Sequence, residues 1–185
     1  MSAVRAAHPT VAVETWALDE HRVGLQPILR RVWAPRGQRP VATVHPRYAW
    51  TYVYAFVRPA TGETYWLLLP TVSAAAFSLA LRAFADAVGA GAGKRVALVL
   101  DGAGWHRGHA VVVPDGLHPV TLPPYSPELQ PAERLWALSD APLVNRHFAD
   151  LDALEAAQAD RCRQLRAQPA VIRAHTRFHW WPDTG

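Results

Sequence analysis

The run Val96-Ala97-Leu98-Val99-Leu100, bounded by Arg95 and Asp101, constrains this chain more than any other segment. Five consecutive apolar residues leave no face for water, so the run predicts a strand buried on both sides. Such a strand needs neighbours within a sheet and helices packed over it. The rest of the chain supplies both. Val11, Val13, Thr15 and Ala17 alternate with Ala12, Glu14, Trp16 and Leu18, which predicts a strand ending at Asp19. Tyr48 to Val57 and Thr64 to Leu69 are rich in aromatic and β-branched residues, and Arg58-Pro59-Ala60-Thr61-Gly62-Glu63 joins them as an antiparallel hairpin.

Ser73 can cap a helix through about Val88, which the following glycines stop. A shorter strand is expected over Pro119 to Leu122. From Pro131 to about Gln168 the chain reads as helical, interrupted near Pro142. The last helix, Asp150 to Gln168, carries Leu151, Leu154, Ala157 and Leu165 on one stripe. Strand, hairpin, helix, buried strand, short strand and helices together predict an α/β fold, a mixed sheet flanked by helices. Residues 1–10 are expected to be a loose lead-in, 11–168 one domain and 169–185 a tail.

With 185 residues, 50% of them hydrophobic and 18% charged, the chain has the balance of one globular domain rather than a disordered one. The formal net charge is +4, and because Lys94 is the single lysine the excess is arginine, a residue suited to gripping phosphate through two hydrogen bonds. Cys162 is the only cysteine, which excludes an intrachain disulfide and a thiolate zinc cluster and fits a reducing compartment. No signal segment or membrane-length apolar run is present, so a cytoplasmic, nucleoid-associated location and no membrane partner are expected.

Three acids stand at special places in this outline. Asp19 ends the first strand, Asp101 ends the central strand, and Glu133 lies near the start of a helix. If the two strands are parallel neighbours, their aspartates emerge side by side at the carboxyl edge, where ligand sites form in open sheets. Clustered carboxylates repel one another unless a cation intervenes, and hard ions such as Mg²⁺ or Mn²⁺ take oxygen ligands while leaving room for phosphates. Taken singly, each acid has a plainer role: Asp101 as a turn cap, Glu133 as complement to a helix dipole, Asp19-Glu20-His21 as a solvated charge cluster.

The segments Trp16-Ala17-Leu18-Asp19-Glu20, Leu100-Asp101-Gly102-Ala103-Gly104-Trp105-His106 and Leu122-Pro123-Pro124-Tyr125-Ser126-Pro127-Glu128-Leu129-Gln130-Pro131-Ala132-Glu133-Arg134-Leu135-Trp136 bear on that choice. In this order they resemble the three signature blocks of DDE transposases, more narrowly of bacterial insertion-sequence transposases of the mariner superfamily. The third block is the most specific, and the Trp33-Ala34-Pro35-Arg36-Gly37 turn also has a counterpart in that family. The resemblance implies a ribonuclease H-like fold, with Asp19, Asp101 and Glu133 as catalytic, metal-binding acids and Glu128 as the lesser candidate for the third. It implies two Mg²⁺ or Mn²⁺ ions, double-stranded DNA (transposon ends and target) as substrate, and a homodimer. Relatives also carry N-terminal helix-turn-helix modules. Here the first strand starts almost at once, so the chain reads as a catalytic half, with a separately encoded recognition half as one possible partner.

The function expected is metal-dependent cleavage at transposon ends followed by strand transfer. A remnant or domesticated binding module without activity, and a ribonuclease H-like nuclease outside transposition, are the alternatives. Arg30, Arg31, Trp33, Arg36 and Arg39 form a basic turn that can grip phosphates and stack on a base, although a solvated hairpin face explains them almost as well. His106, close to Asp101, is a candidate for contact with DNA phosphate or the metal site.

Overall fold

The computed structural model describes residues 2–41, 43, 47–108, 110–124 and 126–182; Tyr125 of the third block and the end of the tail lie outside the described residues. Five strands form one mixed sheet: β1 (Ala12–Gly24), β2 (Trp50–Arg58), β3 (Glu63–Leu69), β4 (Lys94–Leu100) and β5 (Leu117–Thr121), in the order β3-β2-β1-β4-β5. β1, β2 and β3 pair antiparallel, whereas β1–β4 and β4–β5 are parallel. The central apolar run is β4, and Val96 through Leu100 are all buried.

The helices are α1 (Ser2–Ala7), α2 (Ala74–Val88), α3 (Trp136–Ser139), α4 (Leu151–Arg166) and α5 (Pro169–Thr176). α2 begins where the Ser73 side chain accepts from the Ala76 N–H and ends at Gly89 with φ +69°. Positive φ costs glycine little, so the helix stops there. α2 covers one face of the sheet, setting Phe77, Leu81 and Phe84 against Trp16, Leu18, Tyr54, Phe56, Val96, Leu98 and Leu100. The opposite face, through Ala17, Ala55, Val57 and Val99, packs against Leu135, Leu165, Ile172 and Trp181. Helices on both faces are what a strand like β4 demands.

Four expectations change at their edges. β1 does not stop at Asp19 but runs on to Gly24, because β2 keeps pairing with it from Asp19 opposite Ala55 to Gly24 opposite Trp50. Glu133 sits in a tight 3₁₀ turn, Pro131–Leu135, that leads into the single turn of α3 rather than into a long helix. Residues 1–10 carry α1, built from Ala-rich sequence of high helix propensity. The tail carries α5, opened by Pro169 at its first turn and anchored by buried Ile172 and Thr176. The link before β5 turns at Gly116 (φ +85°), where a Cβ would lie 2.2 Å from the Gly91 nitrogen, so only glycine fits.

Phe84 is the centre of the α2 layer. Its ring stacks on Phe56 at 4.1 Å between centroids and meets the edge of Trp16 at 5.0 Å. Phe84→Ala should cost about 3–5 kcal/mol through lost burial and the cavity left behind. Urea denaturation followed by tryptophan fluorescence checks this, and a loss below about 1 kcal/mol would mean that this layer is not the stabilising core.

Candidate active site

The site is built where two strands part. β1 and β4 run parallel in register up to Ala17 opposite Val99, so two residues further on Asp19 and Asp101 face each other across the fork. β1 continues with β2 while β4 ends at Leu100, leaving Asp101 at the mouth of a loop. Asp101 Oδ1 accepts from the Ala103 N–H at 3.0 Å, so one of its oxygens does act as a turn cap.

The third block is docked on this fork by its own side chains. Gln130 is buried; its Nε2 donates to the Leu18 carbonyl at 2.9 Å, and its Oε1 accepts from the Ala132 N–H. Trp136 Nε1 donates to Asp19 Oδ2 at 2.9 Å, while the Glu20 N–H holds Oδ1 at the same distance. His21 stacks on Trp136 and reaches Asp140 at 3.1 Å. These contacts bring Glu133 to the edge of a cavity of about 420 Å³ that is also lined by Asp101, Gly102, Arg107 and Gln130. Glu128 occupies a separate 3₁₀ turn, Pro127–Leu129, from which Pro127 lines the cavity and Glu128 does not.

Electrostatics tie the three acids together. Burial pushes the Asp19 carboxyl up to about 7, and the charges of Glu20 and Glu133 add to this against the opposing Trp136 hydrogen bond. Glu133 is also raised, by partial burial first and then by Asp101. The acids thus act on one another's charge, with Arg134 opposing the rise of Glu133. All three side chains offer hard oxygen atoms, the donor set that Mg²⁺ or Mn²⁺ prefers. The acids are neighbours rather than a closed set of ligands: among the described residues no three His, Cys, Asp or Glu side chains converge at metal-binding spacing.

His106 does not lie where a phosphate contact requires. Its side chain is 1% exposed, held between Glu20 at 2.9 Å and Asp101 at 2.9 Å, with Phe77 packed on the ring. A buried imidazole has no face for DNA, so the expected DNA contact gives way to an internal one. Burial alone would lower its pKa, but the hydrogen bond and charge of Glu20, with help from Asp101, leave it raised. Arg30, Arg31, Trp33, Arg36 and Arg39 all lie exposed on the irregular connector between β1 and β2, with Trp33 wholly exposed. Among the described residues this connector carries no strand of its own. Asn145 pins the start of this connector, bonding both the N–H and the carbonyl of Arg30.

Sequence reasoning gave no role to Gln130, Trp136 or Arg107, and gave Glu20 only that of a solvated charge. The first two stood inside the third block without a structural reason attached. Glu20 follows Trp16 and Leu18 on the buried side of β1, and that period of two was the signal available for it. Arg107 had no signal beyond following His106. Among the described residues no helix is long and apolar enough to cross a membrane.

Comparison with known proteins bears on the family and the fold. The family model for DDE superfamily endonucleases matches residues 14–155. An uncharacterized protein of Sinorhizobium fredii, y4pE/y4sA, is 38% identical over 104 residues, covering 56% of this chain and 76% of that protein. Among solved structures, a pre-cleavage Mos1 transpososome superposes with TM-score 0.58 at 16% identity, over 95% of this chain and 59% of that one. The Mos1 mariner paired-end complex with Mn gives 0.55 at 20% identity, over 89% and 56%. The chain thus spans less than two thirds of the Mos1 chains it matches. The sheet order, the helices on both faces and these superpositions make the fold ribonuclease H-like, and the chain belongs to the DDE superfamily of endonucleases.

Proposed function

We propose that this chain is the catalytic half of a DNA transposase, which cleaves phosphodiester bonds at transposon ends and joins the freed 3′ end to target DNA. The observation that supports the reading is the β1–β4 register, which runs to Ala17 opposite Val99, two residues before Asp19 and Asp101, while Gln130 and Trp136 dock the segment that carries Glu133 on the same fork. Asp19, Asp101 and Glu133 would hold divalent cations, Mg²⁺ or Mn²⁺. Bound there, such cations supply activation of the attacking oxygen and neutralisation of charge on the leaving one. The chain's own residues do the rest. Trp136 and the Glu20 N–H orient Asp19; Arg107, lining the same cavity, meets a phosphate with its guanidinium; Arg30, Arg31, Arg36 and Arg39 hold the DNA backbone, and Trp33 offers a stacking face. That Mos1 complexes contain transposon ends and have been solved with Mn and with Mg supports the choice of substrate and ion.

Replacing Asp101 by Asn, or Glu133 by Gln, removes a charge that the reaction needs and should slow metal-dependent nicking of plasmid DNA by several kcal/mol, about 1,000-fold. Circular dichroism matched to the parent chain shows whether the fold is intact. An Asp101→Asn variant that nicks at the parental rate would remove the assignment. Preference for RNA–DNA hybrid over duplex DNA would move the reading to a ribonuclease.

The raised Asp19 carboxyl gives a second expectation. The folded chain holds this proton up to about pH 7, whereas the unfolded chain releases it near the ordinary 3.8. Between those values the folded state binds more protons, so without metal, stability falls as pH rises from about 4 to 7 and then levels off. Asp19→Asn should flatten that slope and stabilise the metal-free chain at pH 8 by about 2–4 kcal/mol. Mn²⁺ should raise the melting temperature of the parent at pH 8 and leave the variant unmoved. Thermal melts across pH with and without Mn²⁺ read both effects, and parallel parent and variant curves would refute the account.

A further inference from the structure

The chain has a buried charge cluster on the far side of β1 from Asp19. Glu20 lies on the strand face that carries Trp16 and Leu18, under the start of α2, and its side chain is only 4% exposed. Both of its carboxylate oxygens face His106 Nε2, at 2.9 and 3.1 Å. The other ring nitrogen, Nδ1, lies 2.9 Å from Asp101 Oδ1 and 3.3 Å from the Asp101 carbonyl oxygen. Phe77 packs on the ring at 4.4 Å and closes it from water. Placing a carboxylate at such a depth is costly unless it is paired, so Glu20 is explained by His106 and by little else around it.

This arrangement has a direction. Glu20 is fixed in the paired middle of β1, opposite Tyr54 of β2, whereas Asp101 begins a loop beyond the end of β4. The rigid partner is therefore the buried glutamate, and the group in need of fixing is the aspartate. The Ala103 N–H donates to Asp101 Oδ1, and His106 Nδ1 lies 2.9 Å from that same oxygen while hydrogen-bonded to the Asp101 carbonyl, so the backbone and the carboxylate of Asp101 are both held by the loop they open.

We propose that Glu20 and His106 are positioning residues for Asp101, a relay running from the strand core to the loop that sets the rotamer of this carboxylate before any cation arrives. This rests on the reading of Asp101 as a metal ligand. Partners that orient a ligand in this way are worth about 10- to 100-fold in metal affinity.

The test is binding of Mn²⁺, followed by the electron paramagnetic resonance of the free ion, to the full chain and to four variants. Asp101→Asn tests the site itself. His106→Ala removes the relay. His106→Asn keeps a donor near Nδ1 for Asp101 but loses Glu20, and His106→Gln keeps one near Nε2 for Glu20 but loses Asp101. The relay predicts weaker Mn²⁺ binding by about 10- to 100-fold in His106→Ala, a similar loss in His106→Gln, and recovery of only part of it in His106→Asn, which meets Asp101 without the Glu20 anchor. A role in packing alone would give no such ranking. Parental affinity in His106→Ala, with binding lost in Asp101→Asn, overturns the relay while leaving the metal site standing. Absence of binding in the parent, or binding unaffected by Asp101→Asn, overturns the metal-site reading and the relay together. Should His106→Ala fail to fold, the comparison of Asn with Gln decides, and equal affinities overturn the relay.

Discussion

The parting of β1 from β4 is the constraint on which the rest of this molecule depends. Two parallel strands pair up to Ala17 and Val99, then one continues and the other ends. A fork inside a sheet leaves backbone groups that must find other partners, because an unpaired buried carbonyl costs about as much as a lost hydrogen bond. The amide of Gln130 meets that need at Leu18, one residue past the last β1–β4 partner. The same fork that separates the two aspartates from the ladder thus anchors the segment bearing Glu133. Fold stability and site assembly share one contact.

Charge is distributed around the fork in two different ways. On the outer face, Asp19 is raised to about 7 by burial and like charge, and among the described residues it is opposed there by neutral donors, the Trp136 indole and the Glu20 N–H. On the inner face, the Glu20 side chain is buried too but meets an imidazole at both carboxylate oxygens. Adjacent residues of one strand point to opposite faces, so these two acids have separate surroundings despite sharing a peptide bond. A strained, under-neutralised acid beside a satisfied one is the pattern expected where function opposes stability.

Much of the fold was legible because it follows from local chemistry. β4 shows itself as five apolar residues without a polar face, and α2 as Ser73 and Gly89 bracketing an Ala- and Leu-rich stretch. The parallel pairing of β1 with β4 was a condition in the reading of Asp19 and Asp101, and the register meets it. What escaped depends on distant partners. The second half of β1, Glu20-His21-Arg22, looks like a solvated loop until β2 pairs with it and His106, 86 residues away, buries Glu20. The helix expected after Pro131 is shorter and tighter than the pattern suggested, because Gln130 is committed to Leu18 and the chain must turn around it. The Arg30 to Arg39 stretch was read as basic and turn-rich, and it is exposed throughout; what holds its base, Asn145, comes from beyond α3.

The choice of Glu133 over Glu128 as the third acid of the proposal follows from helical geometry. Trp136 follows the 3₁₀ turn as the first residue of α3, and its N–H bonds back to the Glu133 carbonyl three residues earlier, so Glu133 and Trp136 lie near one face. Trp136 spends its indole N–H on Asp19, which turns that face toward the fork. Glu128 stands before Gln130, in a turn that ends as the Gln130 N–H bonds back to Pro127, and its face is set independently of Asp19. The charge of Asp101 raises Glu133, and Glu133 in turn raises Asp19, whereas Glu128 acts on the group only through Glu133 and more weakly than Asp101 does. An indole placed three residues after an acid is thus a lever that aims that acid, and it gives the Glu-x-x-Trp spacing a physical reason that the string of residues alone does not state.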